Sequence, residues 1–143
     1  MLSIHDLSVS YGPVAALSHV SLDVQRGEVT AVIGANGAGK STLMRTLAGL
    51  VKPTSGSASV DGSPITGLRP EVIVRRGVAL VPEGRSTVPE LSVDENLRLG
   101  GLWRTREDRA RSHAEVFDLF PVLADRKSMA ASTLSGGERQ QLA

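Results

Sequence analysis

Residues 29–42, VTAVIGANGAGKST, decide the fold. Val29 to Ile33 is almost wholly apolar, the composition of a short strand buried on both faces of a parallel sheet. Gly34, Gly37 and Gly39 follow, and the run closes on Lys40, Ser41 and Thr42. Leu43, Met44, Leu47 and Leu50 then recur on one face at helical spacing. Gly34 to Thr42 therefore fits G-x-x-x-x-G-K-[ST] in a strand, loop and helix setting. Such a loop turns its backbone N–H groups inward around phosphates, and glycine leaves the space that a Cβ would fill. Lys40 would bring a point charge to the β- and γ-phosphates, Ser41 a hydroxyl for Mg²⁺, and the helix N-terminus its dipole. The bland reading is a glycine-rich turn before an ordinary helix. The full motif in this setting favours nucleotide binding, and by itself it leaves GTPases, kinases and many ATPases open.

Toward the N-terminus, Leu2, Ile4, Leu7 and Val9 sit roughly two apart, and YGPVAALSHVSLDV continues in strand fashion to a turn at Arg26-Gly27. This reads as an antiparallel edge. Toward the C-terminus the first helix is expected to end at Lys52-Pro53, because the residue before proline disfavours the α region. A turn at Thr54-Ser55-Gly56, a hairpin about Asp61-Gly62 and a short helix from Pro70 to Arg76, with Gly77 beyond it, come next. VALV, residues 78–81, reads as another buried strand. Ser92 with Glu95 forms a capping box that opens a helix toward Gly100. Thr105 caps a longer helix whose His113, Val116, Phe117 and Phe120 share a face until Pro121. Ser135 with Glu138 makes a further box, in TLSGGERQQLA, residues 133–143. Few residues follow it, so the helix it opens is expected to fray.

Composition narrows the functional classes. The 143 residues fit one domain, and 41% apolar with 22% charged residues is an ordinary globular balance. Tyr11, Trp103, Phe117 and Phe120 are the only aromatics, so the core must come from Val, Leu, Ile and Ala. A net charge of +1 argues against broad nucleic-acid binding. With no cysteine there is neither a disulfide framework nor a thiolate metal site. No apolar run approaches the roughly 18 residues that span a bilayer. His5, His19 and His113 have no metal-ligand spacing and read as structural or surface residues.

A second glycine-rich helix start, Leu134-Ser135-Gly136-Gly137-Glu138, stands in a chain that already has one. Together with the Walker A loop it resembles the signature of the ATP-binding-cassette (ABC) ATPases, and the order and spacing agree along the whole chain. The resemblance implies an α/β P-loop NTPase core with a mixed sheet, an antiparallel β edge and an inserted α-helical subdomain. It places the core with Walker A at about 1–82. The Q-loop and the helical subdomain ending in the signature fall at about 83–143. It makes Gly34, Asn36, Gly37, Gly39, Lys40, Ser41 and Thr42 ATP-binding residues, with Ser41 on Mg²⁺. Tyr11 falls where the family stacks an aromatic on adenine. Ser135, Gly136, Gly137 and Glu138 fall where it meets the γ-phosphate of ATP held by a second ABC ATPase subunit. VPEGR, residues 81–85, lies at the Q-loop, and Glu83 takes the coupling-loop place that usually carries Gln.

The loop GANGAGKSTLMRTLAGLVKPTSG, the VPEGR variant and LSVDENLRLG look like the subset serving branched-chain amino acid importers, where Glu at this place is common. That likeness implies an ATPase subunit in a homo- or heterodimer, bound to membrane permease subunits and indirectly to a substrate-binding protein. It also implies a peripheral location on the cytoplasmic face of the cell membrane. A non-hydrolysing nucleotide-binding or interaction fragment, and a soluble ABC ATPase of translation or repair, are the alternatives. VALVPE offers four apolar residues and a carboxylate, but Pro82 intervenes and the segment precedes the signature, so it is not Walker B. In the family, Walker B, the catalytic Glu and the switch His follow the signature helix, so the resemblance implies an N-terminal portion that carries none of the three.

Overall fold

A computed structural model describes residues 1–82, 84 and 87–143. They form two compact units, Met1–Leu80 and Val81–Ala143. In the first, β1 (Leu2–Tyr11) and β2 (Val14–Val24) form an antiparallel hairpin. Strand β3 (Ser55–Val60) pairs with the other side of β1, and β4 (Ser63–Pro64) closes a four-stranded antiparallel sheet of order β2-β1-β3-β4. The expected edge is present. Asp61 (φ 47°) and Gly62 (φ 76°) are both left-handed at the β3–β4 turn, the conformation that Asp-Gly favours in tight hairpins. The turn expected at Thr54-Ser55-Gly56 is instead the start of β3. Gly56 (φ 83°) lies there against the carbonyl of Asp6, where a side chain would collide.

Ile4, Leu7, Val9 and Ala58 from the sheet pack with Leu43 and Leu47 of helix α1 (Lys40–Leu47) and with Ile73 of α2 (Pro70–Arg75). The α1 helix stops at Leu47, short of the end expected at Lys52-Pro53. The Leu50 N–H donates to the Arg45 carbonyl at 2.9 Å, the Gly49 N–H donates to Thr46 at 3.0 Å, and Gly49 is left-handed at φ 76°. This is a Schellman stop, built on a glycine that accepts positive φ.

The two expected buried strands are not seen. Val29–Ile33 and Val78–Val81 belong to no sheet among the described residues, and Val29 and Ile33 are almost fully exposed. A strand exists through its ladder partners. The four strands present are all antiparallel, so the parallel part of the expected mixed sheet is not among the described residues.

The second unit is helical. It comprises α3 (Val93–Gly100), α4 (Arg106–Leu119), α5 (Pro121–Asp125), a short 3₁₀ turn (Ala131–Thr133) and α6 (Gly136–Leu142). Ser92 and Thr105 cap α3 and α4 as expected, the first through a complete capping box with Glu95. Val93, Leu123, Ala131, Leu134 and Leu142 form the core, with Val116, Phe117 and Phe120 packed on it. His113 stacks edge-on against Phe117 at 4.7 Å. Its Nε2 lies 3.0 Å from Asp94 Oδ1, a proximity too poorly aligned to count as a hydrogen bond. Leu134, which precedes the Ser135 cap, and Leu142, the last residue of α6, are buried, while Ser135, Gly136 and Gly137 between them are exposed. No helix among the described residues is long and apolar enough to cross a membrane.

Candidate functional site

Two glycine-rich helix starts present backbone donors, one in each unit. In the first unit Gly37 (φ 84°) and Gly39 (φ 90°) are left-handed, a region that L side chains rarely adopt. A Cβ on Gly39 would collide with the Ala16 carbonyl and with Leu17 Cδ2 of β2. The loop therefore sits on the β1–β2 hairpin, and glycine alone allows it to come that close. The Ala38 N–H donates to the Ala35 carbonyl at 3.2 Å and holds the loop turned.

Helix α1 opens at Gly39 with no side-chain cap and no acidic residue in its first turn. In α3, α4 and α6 a Ser or Thr accepts an N–H bond at the same place, and an acid stands in the first turn. An uncapped start with a cation beside it suits an anion, because the free N–H groups and the dipole both point outward. Lys40 supplies the cation. Its ammonium donates to the carbonyls of Gly34 at 2.8 Å and Ala35 at 2.7 Å, so the side chain folds back along the loop. Asn36 and Ser41 are exposed, and Thr42 is half-buried with its carbonyl accepting from Thr46 Oγ1 at 2.8 Å. Tyr11 ends β1 opposite Val14, with 47% of its surface exposed. It shares the hairpin that carries Ala16 and Leu17.

In the second unit Ser135 (φ −62°, ψ 166°) is the N-cap of α6. The Glu138 N–H donates to Ser135 Oγ at 3.3 Å, and the Ser135 N–H donates to Glu138 Oε2 at 2.7 Å. The bond from the Ser135 N–H holds the Glu138 carboxyl below the usual carboxylate range. The Ser135 backbone is the main cause, with the Ser135 hydroxyl and the Arg126 charge behind it. Ser135, Gly136 and Gly137 are exposed, and a Cβ on either glycine would meet nothing within 4 Å. Neither glycine has positive φ. The unit's own packing thus gives no reason for two weak helix formers in one turn.

Glu83 lies outside the described residues. Arg126, which donates from Nη1 to Glu138 Oε2 at 3.3 Å, was missed by reading the sequence. It is separated from Glu138 by 12 positions, and no local motif links the two.

A family model described as ABC transporter matches residues 17–143. The chain is 45% identical, over 143 residues, to the high-affinity branched-chain amino acid transport ATP-binding protein BraG of Pseudomonas aeruginosa. It is 36% identical, over the same length, to the probable branched-chain amino acid transport ATP-binding protein LivF of Archaeoglobus fulgidus. All of this chain and 61% of each relative are covered, so the chain spans about three fifths of their length. Among solved structures, the ADP conformation of an ATP-binding cassette of an ABC transporter matches with a TM-score of 0.83 at 25% identity. That match covers 99% of this chain and 61% of the other. The α/β cassette class read from the sequence is therefore shown.

Proposed function

This chain belongs to the ABC transporter family, and from that premise we propose that it is the ATP-binding part of an importer's ATPase subunit, energising uptake of branched-chain amino acids. The two transport ATP-binding relatives support the substrate class. The observation that carries nucleotide binding is the start of α1, a helix N-terminus with no cap and no acid, next to a lysine.

The residues present fit ATP with Mg²⁺. Gly39 lets the turned loop lie against Ala16 and Leu17 of β2, and the loop offers N–H donors, one ammonium and two hydroxyls. Gly34, Asn36, Gly37, Gly39, Lys40 and Thr42 would hold the phosphates, and Ser41 would offer its hydroxyl to the metal. Tyr11 stacks on adenine. When bound, ATP with its metal supplies a phosphoryl group ready for transfer to water. The chain's own share is positioning and charge. Lys40, which donates to the Gly34 and Ala35 carbonyls, would exchange these neutral acceptors for charged phosphate oxygens. Glu83 couples nucleotide state to the helical part, residues 83–143, and 1–82 form the core.

Ser135, Gly136, Gly137 and Glu138 face the nucleotide of a second ABC ATPase subunit, which is where two bare glycines find their use. Permease subunits hold this peripheral protein at the cytoplasmic face of the membrane and link it to a substrate-binding protein. Purification from membranes, followed by phosphate release in the presence and absence of the transported amino acid, tests the reading. Recovery with permease subunits is expected, together with Lys40-dependent turnover in the full-length protein. Turnover by a protein that carries no membrane subunit would point to the soluble ABC ATPases of translation or repair.

A further inference from the structure

Arg126 caps the C-terminal end of α5 and reaches across to Glu138 in α6. Its Nη1 donates at 3.3 Å to Oε2, the same oxygen that accepts the Ser135 N–H at 2.7 Å. The Glu138 side chain is 17% exposed and that of Arg126 39%. Arg126 is its only ion-pair partner among the described residues. A glutamate has several rotamers, and one backbone N–H at a surface junction selects weakly among them. A guanidinium beside a largely shielded carboxylate adds a charge-assisted bond from a fixed direction.

We infer that Arg126 is a positioning residue for the Ser135–Gly137 junction: it holds Glu138 in the conformer that closes the capping box and offsets its negative charge. The second effect rests on the reading in which this junction faces a nucleotide. A carboxylate in the first turn suits the helix dipole yet repels an incoming phosphate, and Arg126 beside it lowers that repulsion. The depressed Glu138 carboxyl agrees with the geometry.

The test compares the unaltered chain with Arg126→Met, Arg126→Lys, Glu138→Gln and the Arg126→Met/Glu138→Gln pair. The Glu138 side-chain carboxyl is followed by carbon NMR against pH, and the Ser135 and Glu138 amides by hydrogen exchange. Arg126→Met is expected to move the Glu138 titration upward and speed Ser135 amide exchange by about tenfold, with amides of β1–β4 unchanged. Arg126→Lys restores part of the titration, as a point charge without the fork. In the Glu138→Gln background, Arg126→Met should change exchange at Ser135 little, since the pair is already broken.

An unmoved titration with unmoved exchange overturns the inference. Should Arg126→Met fail to fold, Arg126→Gln, which also removes the charge, decides in its place, and an unmoved Glu138 titration with unmoved Ser135 exchange there overturns the inference equally. In the assembled importer subunit, Arg126→Met should lower kcat by about tenfold and leave KM for ATP in place, because a misplaced junction affects turnover more than ground-state binding. Unchanged kcat overturns its tie to the reaction. Loss of Lys40-dependent nucleotide binding in the unaltered protein would instead strike the functional reading, and the titration and exchange would still decide the role of Arg126.

Discussion

The ammonium of Lys40 and the carbonyl of Gly34 are 2.8 Å apart, so the loop's cation is held by the first residue of its own motif. With the second bond to Ala35 at 2.7 Å, this satisfies Lys40 within the loop and keeps it over the start of α1. Lys40→Ala is expected to weaken MgATP binding by about tenfold or more, the range of a lost charge-assisted bond. Calorimetric titration of both proteins checks this. Equal affinities would remove Lys40 from the phosphate site.

Gly37 and Gly39 share a left-handed conformation but not a neighbourhood. Gly39→Ala adds a collision with Ala16 and Leu17 to the backbone strain, and should cost about 2 kcal/mol or more. Gly37→Ala meets open space and should cost about 1 kcal/mol, the strain alone. Urea unfolding of the two variants reads the difference. Equal costs would mean that β2 does not support the loop.

Gly136 and Gly137 should behave in the opposite sense. Each lies in open space with ordinary φ, so Gly136→Ala and Gly137→Ala are expected to stabilise the chain by a few tenths to about 1 kcal/mol. In the proposed importer the same substitutions should lower ATP turnover, since the added methyl groups occupy the proposed approach of the partner's nucleotide. Thermal unfolding and phosphate release, measured on the same preparations, separate the two effects. Alanine variants that are both more stable and fully active would show that the junction meets nothing closely.

Acid should weaken the β-sheet unit modestly at Asp61, an exposed carboxyl with two cationic partners. Its carboxyl is pulled down to about 2 from 3.8, first by the hydrogen bond from Arg26 and then by the N-terminal ammonium of Met1. Arg26 donates from Nη2 at 2.8 Å and Nε at 3.2 Å, and Met1 from its ammonium at 2.7 Å. A carboxyl depressed in the folded state binds fewer protons there than when unfolded. Its stabilisation is therefore present above the unfolded value of 3.8 and is lost as the pH falls through about 2. Arg26→Met should move the acid unfolding midpoint to higher pH and leave stability at pH 7 and above less changed than a core substitution would. Circular dichroism against pH follows it, and an unchanged acid limb would show that Arg26 is not what depresses Asp61.

Much of the molecule could be read because its signals are local. Each capping box closes within four residues, Ser92 with Glu95 and Ser135 with Glu138, so neighbouring side chains alone determine it. The Asp61-Gly62 turn and the motif from Gly34 to Thr42 are local in the same sense. The end of α1 was also within reach of local reading, since Gly49 followed by Leu50 is a Schellman pattern. Pro53 drew the boundary too far because the restriction before proline is a weaker stop than a glycine already in place.

Other features needed the folded chain. Arg26 and Asp61 are 35 positions apart, and Met1 and Asp61 are 60 apart. Nothing in the residues near any of them announces those pairs. Leu17 beneath Gly39 and Arg126 on Glu138 are of the same kind. Val29–Ile33 shows the reverse case, in which apolar composition announces a strand but cannot supply the neighbours whose N–H and C=O groups would make it one. Composition, spacing and caps act over a single turn, so residue order suffices to read them. Ladders, ion pairs and close backbone approaches join distant segments, and they form only where the fold brings those segments together.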